Sequence, residues 1–269
     1  MTDIRDVLFE TIESRRFRVA LTAEAAGVFS GVAEAQECAQ RLGLVLELQK
    51  KEGELLLPGQ QFGTFTGTPK QIAVAEEQII GTLAKTSGIA TAARRATELA
   101  GGRVRIVSGS WKKMPPPMKG AMRRAITAGG AAFRICDEPM LYIDKNFIRM
   151  FGSVSAALAA SSGLSGLKKV IQIKGQQCSV EDETLQAALG GADILMVDTG
   201  RLEDLQTCQQ ELRRVGYRER VQVAFAGNVR LEEIPRYLPW QMDILCIGKD
   251  IVDARLLDMR LDVVEALEA

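Results

Sequence analysis

Residues 192–198 read Ala-Asp-Ile-Leu-Met-Val-Asp. Four apolar residues closed by an acid, Asp198, predict a short strand buried on both faces. The C-terminal ends of such strands are where parallel barrels place their chemistry. Working outward, the pattern recurs. Residues 221–225 precede Ala226-Gly227-Asn228, and 244–247 precede Gly248-Lys249. On the other side, 170–173 precede Lys174, 140–143 precede Asp144-Lys145-Asn146, and 104–107 precede Trp111-Lys112-Lys113. A spacing of roughly 25 to 35 residues per strand predicts repeated strand–helix units and a parallel sheet. Helices are expected over 117–128, 151–161, 182–189, 202–215, 231–237 and 254–267. The strands fall short of a full eight-stranded barrel. The expectation is an α/β chain with an incomplete barrel, preceded by an α+β domain of about 100 residues.

Ahead of residue 103 the pattern is mixed. A helix is predicted over 1–14, with Val7, Leu8 and Ile12 on one face. Short strands are predicted over 17–21, 26–30, 44–49 and 54–57, with a helix over 33–42. Pro58-Gly59 and Gly63 read as turns. Thr68-Pro69 opens a long helix, with threonine as N-cap and proline at the first helical position. Ser87-Gly88 reads as its break. A second helix runs from Ala90 to a stop at Gly101-Gly102.

Composition narrows the function classes. Lys+Arg and Asp+Glu each total 34, so no net charge favours nucleic acid or an anionic membrane. Nothing after Met1 reads as a signal peptide, and no apolar stretch approaches the roughly 20 residues of a membrane span. The five cysteines (Cys38, Cys136, Cys178, Cys208, Cys246) are scattered without a C-x-x-C pair. That pattern suggests neither a zinc site nor a disulfide framework, and fits a reducing, cytoplasmic setting. Cys246, inside an apolar run, reads as core. With 0 histidines there is no Ser-His or Cys-His couple and no imidazole ligand. Proton transfer near neutral pH would fall to a shifted carboxylate, a shifted lysine or the substrate.

Several constellations could carry chemistry. Residues 111–119, Trp-Lys-Lys-Met-Pro-Pro-Pro-Met-Lys, put Lys112, Lys113 and Lys119 around a helix start. A phosphate or pyrophosphate site and a solvated basic turn fit that run equally. Gly129-Gly130 with Arg134 reads first as a plain turn, second as a tight connection aiming an arginine inward. Asp144, Lys174 and Asp198 could face one another across a barrel mouth, as a structural pair or as a sugar and metal site. Ala226-Gly227-Asn228 with Gly248-Lys249 matches the habit of backbone amides after late barrel strands holding a phosphate.

Ser87-Gly88-Ile89-Ala90-Thr91, the Lys112–Lys119 run, Gly129-Gly130, residues 192–198, Ala226-Gly227-Asn228 and residues 257–261 fall in the order seen in quinolinate phosphoribosyltransferases. The chain resembles that family over nearly its whole length; ModD-type relatives look equally close around Gly129. The resemblance implies an N-terminal α/β sandwich over 1–102, with 259–269 able to rejoin it. It implies an incomplete, six- to seven-stranded α/β barrel of the type II phosphoribosyltransferase kind over 103–258. It also implies phosphoribosyl pyrophosphate (PRPP) as donor, Mg²⁺ carried with it, and a homodimer with shared active sites, able to assemble further. Neither nucleic acid nor membrane is an expected partner.

Carried over residue by residue, the resemblance makes Lys113, Asp198 and Lys174 the catalytic candidates. Lys112, Lys119, Lys145, Gly227, Asn228 and Gly248 would hold PRPP and its phosphates. Glu77, Arg134 and Asp144 would face the acceptor, and Asp198 the Mg²⁺. The family's Thr-Arg-Lys-Thr is Trp111-Lys112-Lys113-Met114 here, and its Pro-Gly-Leu-Arg is Pro116-Pro117-Met118-Lys119. Glu77 stands for an arginine supplied to the partner, Asp144 for a substrate lysine, Lys174 for an acid, and the family's histidine beside Arg134 is gone. A dicarboxylate acceptor would meet fewer cations, so the expected activity is phosphoribosyl transfer to a nitrogen heterocycle other than quinolinate. The alternatives are a true quinolinate enzyme and a catalytically silent binding relative.

Overall fold

The strands, in chain order, are β1 (Arg16–Ala23), β2 (Gly27–Val28), β3 (Glu47–Leu48), β4 (Leu55–Leu56), β5 (Gln61–Gly67), β6 (Arg105–Val107), β7 (Met140–Ile143), β8 (Lys168–Ile173), β9 (Ile194–Asp198), β10 (Gln222–Ala226), β11 (Ile244–Cys246) and β12 (Met259–Leu267). They come from a computed structural model that describes residues 3–268. The chain forms two units. One holds the residues up to Arg95, Trp111–Gly130 and those from Ile251 on; the other holds Ala96–Ser110 and Ala131–Asp250.

The first unit is built on an antiparallel sheet ordered β12-β1-β5-β3, with β2 and β4 paired separately. Val19 and Leu21 of β1 and Phe62 of β5 are fully buried and share one core with Phe29, Ile79 and Leu83. Thr68 and Gln71 form a reciprocal capping box that starts helix Pro69–Ala75. The helical path continues through a π turn, Glu76–Ile80, into Gly81–Ala100.

Four expectations differ from the structure. The predicted break at Ser87-Gly88 does not occur. Gly88 is needed for close packing: a Cβ there would stand 2.0 Å from the Arg255 carbonyl oxygen. Ser87 ties the helix to residue 30, its Oγ accepting from Ser30 N at 3.0 Å, while Thr91 Oγ1 accepts from Val28 N at 2.8 Å. Gly63, read as a turn, lies inside β5. The segment read as a helix over 254–267 is instead β12, paired with β1 from Arg16↔Leu267 to Ala23↔Met259. The N-terminal helix is shorter than expected, Ile4–Leu8 followed by a 3-10 turn, and buries nothing. Residues 1–2 of that expected helix lie outside the described residues.

The second unit carries a six-stranded parallel sheet ordered β6-β11-β10-β9-β8-β7. A single parallel bridge, Val107↔Ala132, extends it beyond β6. One residue parity of these strands, Val107, Val170, Ile194, Met196, Ala224 and Ile244, forms a single core cluster with Tyr142, Ala226 and Cys246 packed against it. The other parity is buried as well: Ile171, Ile173, Leu195, Val197 and Phe225 are fully enclosed. Burial on both faces is why these strands read as unbroken apolar runs. Where one helix was expected over 151–161 there are two, Lys145–Phe151 and Val154–Ala160.

Candidate active site

Register aligns the strand ends of the parallel sheet. Ile173 pairs with Val197, and Ala226 with Asp198, so Lys174, Asp198 and Ala226 arrive level at the C-terminal edge. The Lys174 ammonium stands 3.2 Å from Asp198 Oδ2. Gln172 Nε2 donates to the same oxygen at 2.6 Å. The other end of that amide, Gln172 Oε1, accepts from Lys145 N at 2.8 Å. Gln172 thus couples the start of helix Lys145–Phe151 to the Asp198 carboxylate. Asp144 does not present its carboxylate as an open acceptor ligand. It caps that helix, Oδ1 accepting from Asn146 N at 2.8 Å and Phe147 N at 3.1 Å.

Lys174 is held from behind. The carboxylate of Glu183, on helix Val180–Leu189, is 2% exposed and accepts four backbone N–H groups: Lys174 at 2.7 Å, Gly175 at 2.8 Å, Gln176 at 3.1 Å and Gln177 at 3.3 Å. Lys145, Ile148, Arg149, Gln172, Lys174 and Glu183 line a cleft of about 210 Å³, open solvent included. Arg149 spends one nitrogen on Gln176 Oε1 at 2.9 Å. Burial first, then electrostatic interaction with Cys246, Asp198 and Asp144, pushes the Tyr142 phenol well above its ordinary range. Tyr142 therefore stays a hydroxyl donor.

The loops after β9 and β10 meet through bare backbone. Gly200 N donates to Ala226 O at 3.0 Å. A Cβ on Gly227, whose φ is +130°, would stand 2.2 Å from Gly200 N. Asn228 adopts a left-handed conformation, φ +59°. Gly248, on the loop after β11, leaves room for Ser110 Oγ, 2.5 Å from where its Cβ would be. Arg134 donates to Glu138 O at 3.3 Å, within its own loop.

The remaining candidates belong to the first unit. Lys112 and Lys113 are exposed in a 3-10 turn, Ser110–Lys113, and Lys119 begins helix Lys119–Ala128. Beside them the Arg123 guanidinium lies over the Trp111 ring, 5.0 Å from its centre. Glu77, in the π turn, is ion-paired to Arg5 at 2.6 Å.

Of the sequence-predicted residues, the structure brings Lys174 and Asp198 into contact and ties Lys145 to them through its backbone. It turns Asp144, Arg134 and Glu77 toward partners within the chain. Sequence reading missed Gln172, Tyr142 and Glu183. Gln172 had a signal: it is the one polar residue inside the run 170–173, at the parity of Lys174.

The donor set does not suit a protein-held metal. Asp198 is one carboxylate whose Oδ2 is shared by an ammonium and an amide. Among the described residues no group of three or more His, Cys, Asp or Glu side chains could hold an ion.

The family model of the quinolinate phosphoribosyl transferase C-terminal domain matches residues 89–262, and that of its N-terminal domain matches 6–87. A probable nicotinate-nucleotide pyrophosphorylase [carboxylating] of Archaeoglobus fulgidus is 29% identical over 257 residues, covering 94% of this chain and 97% of that protein. One of Methanothermobacter thermautotrophicus is 26% identical over 268 residues, covering 96% and 93%. In fold, the chain is similar to the nicotinate-nucleotide pyrophosphorylase of Francisella tularensis, with a TM-score of 0.82 at 19% identity over 96% of this chain and 90% of that one. NadC from Streptococcus pyogenes gives 0.78 at 22% identity, over 94% and 89%.

Proposed function

The chain belongs to the quinolinate phosphoribosyl transferase family, and on that premise we propose that it moves ribose 5-phosphate from PRPP to a ring nitrogen of a heterocyclic acceptor other than quinolinate. In that reaction the bond from the ribose anomeric carbon to pyrophosphate breaks. A bond from the same carbon to the acceptor nitrogen forms, and pyrophosphate leaves. The observation that carries the reading is the Asp198 carboxylate at the end of β9, oriented by Gln172 and Lys174. An oriented carboxylate accepts sugar hydroxyls. The contacting loops at Gly200 and Gly227, with Asn228 and Gly248, suit the 5′-phosphate through backbone amides. Lys145, at the start of the helix after β7, supplies charge for the pyrophosphate. Mg²⁺ would come as part of the donor, and a homodimer with shared sites is part of the same proposal.

The acceptor follows from how the cations are spent. Lys174 neutralises Asp198, while Arg134 and Arg149 bond to Glu138 O and Gln176. A dicarboxylate needs cations free to pair with it. A neutral, cationic or monocarboxylate heterocycle does not. One observation favours quinolinate itself as a second reading. Glu77 and Asp144 are engaged by Arg5 and by a helix start, so neither confronts an anionic acceptor. Calorimetry with PRPP, with and without Mg²⁺, tests the donor site. Micromolar binding to the protein, lost in Asp198→Asn, is expected. No heat under either condition would leave the silent binding relative as the account.

A further inference from the structure

The site's electrostatics lead one step further, deepening that reading. We propose that the sheet's C-terminal mouth carries its counter-charge within the chain. The Lys174 ammonium holds the place beside Asp198 that a divalent cation would take, and the free protein binds no such ion there.

A hard divalent cation needs several oxygen donors converging on one point. Around Asp198 Oδ2 the converging groups are N–H donors, the Lys174 ammonium at 3.2 Å and the Gln172 amide at 2.6 Å. They present positive charge and protons to the carboxylate, the reverse of what a cation site offers. The lysine is not a loose surface side chain. The Lys174 and Asp198 side chains are 25% and 29% exposed, so solvent screens them only in part. The Lys174 backbone is fixed by Glu183, and the Gln172 amide is fixed by the Lys145 N–H. A dication at Oδ2 would have to displace an ammonium whose own backbone is anchored by Glu183 and an amide that the Lys145 N–H holds in place. Asp198 is therefore a pre-neutralised acceptor for sugar hydroxyls, and any Mg²⁺ on the donor stays with its pyrophosphate.

The test is a Mn²⁺ titration of the full-length protein followed by electron paramagnetic resonance. The unaltered protein should leave the free-ion signal unchanged by Asp198. Lys174→Glu, which sets a second carboxylate beside Asp198, should bind Mn²⁺ at least about tenfold more tightly. Mn²⁺ bound by the unaltered protein and lost in Asp198→Asn would overturn the proposal. So would a folded Lys174→Glu protein with no gain in Mn²⁺ affinity. Should Lys174→Glu not fold, the comparison with Asp198→Asn decides alone. Ribose 5-phosphate titrated in the presence of a chelator separates this proposal from the transferase reading. Failure to bind the sugar phosphate contradicts the transferase and leaves the Mn²⁺ result to judge Lys174.

Discussion

Replacing Glu183 by Gln should loosen the loop that positions Lys174, and the structure sets the size of the effect. The Glu183 carboxylate accepts two N–H groups on each oxygen. A glutamine keeps one acceptor oxygen and turns an NH₂ group toward the other pair. The shorter pair, Lys174 N and Gly175 N, will be retained, leaving Gln176 N and Gln177 N without a partner. Each retained bond loses its charge assistance, about 1 kcal/mol apiece. The two orphaned groups lie on exposed residues, so water offsets most of their loss and they add about 1 kcal/mol together. The total is about 3 kcal/mol, equivalent to a fall in Tm of roughly 6–12 °C for a chain near this size. Scanning calorimetry measures it, and amide hydrogen exchange should show lost protection at 174–177. A Tm within about 1 °C of the unaltered protein would refute the claim that Glu183 holds this loop.

Other substitutions probe the same frame. Gly227→Ala places a methyl against Gly200 backbone at a φ of +130° and should cost about 3 kcal/mol or more in urea unfolding. A soluble protein of unchanged stability would contradict the close approach of the two loops. Gln172→Leu removes a donor from Asp198 and an acceptor from Lys145 N. It should weaken ribose 5-phosphate binding by about 1–3 kcal/mol by calorimetry; unchanged affinity would remove Gln172 from the site. Burial pushes the Cys208 thiol up from 9.0 to about 11. The folded state then holds that proton more tightly than the unfolded state. Its contribution is constant below pH 9 and is lost as pH rises from 9 through about 11. Unfolding stability measured across that window should fall less steeply in Cys208→Ala, and an equal slope would contradict the assignment.

Much of the parallel sheet could be read from sequence because both faces are buried. Runs such as 194–197 contain no solvent-facing position to blur the pattern. Lys174 and Asp198 were legible for the same reason, each being the first charged residue after such a run. The misreadings share a different cause. Gly63 and Gly88 look like punctuation, yet each is a glycine because another group packs close to it, Leu48 in one case and the Arg255 carbonyl in the other. That neighbour is 15 residues away for Gly63 and much further for Gly88, beyond any local signal. In residues 257–267, Leu257, Met259, Leu261 and Val263 alternate at the strand period, but the acids and Ala266 among them also suit a helix. Pairing with β1 decides it. Asp144 precedes Lys145-Asn146 as a helix cap would, and reading it as a strand-end ligand passed over that capping role. Glu183 sits in the first turn of its helix as one of a run of acids, and nothing nearby in sequence marks it as the anchor of residues 174–177.

The central claim is transfer of ribose 5-phosphate from PRPP. The most direct measurement is pyrophosphate release from PRPP by the purified protein. It should be run against quinolinate and a set of neutral and monocarboxylate nitrogen heterocycles, with the nucleotide product identified by mass. The account predicts stoichiometric pyrophosphate and nucleotide with a neutral or monocarboxylate acceptor, faster than with quinolinate, and loss of both in Asp198→Asn. Quinolinate turned over fastest would contradict the acceptor assignment. No PRPP consumed with any acceptor, and none bound, would contradict the transferase itself.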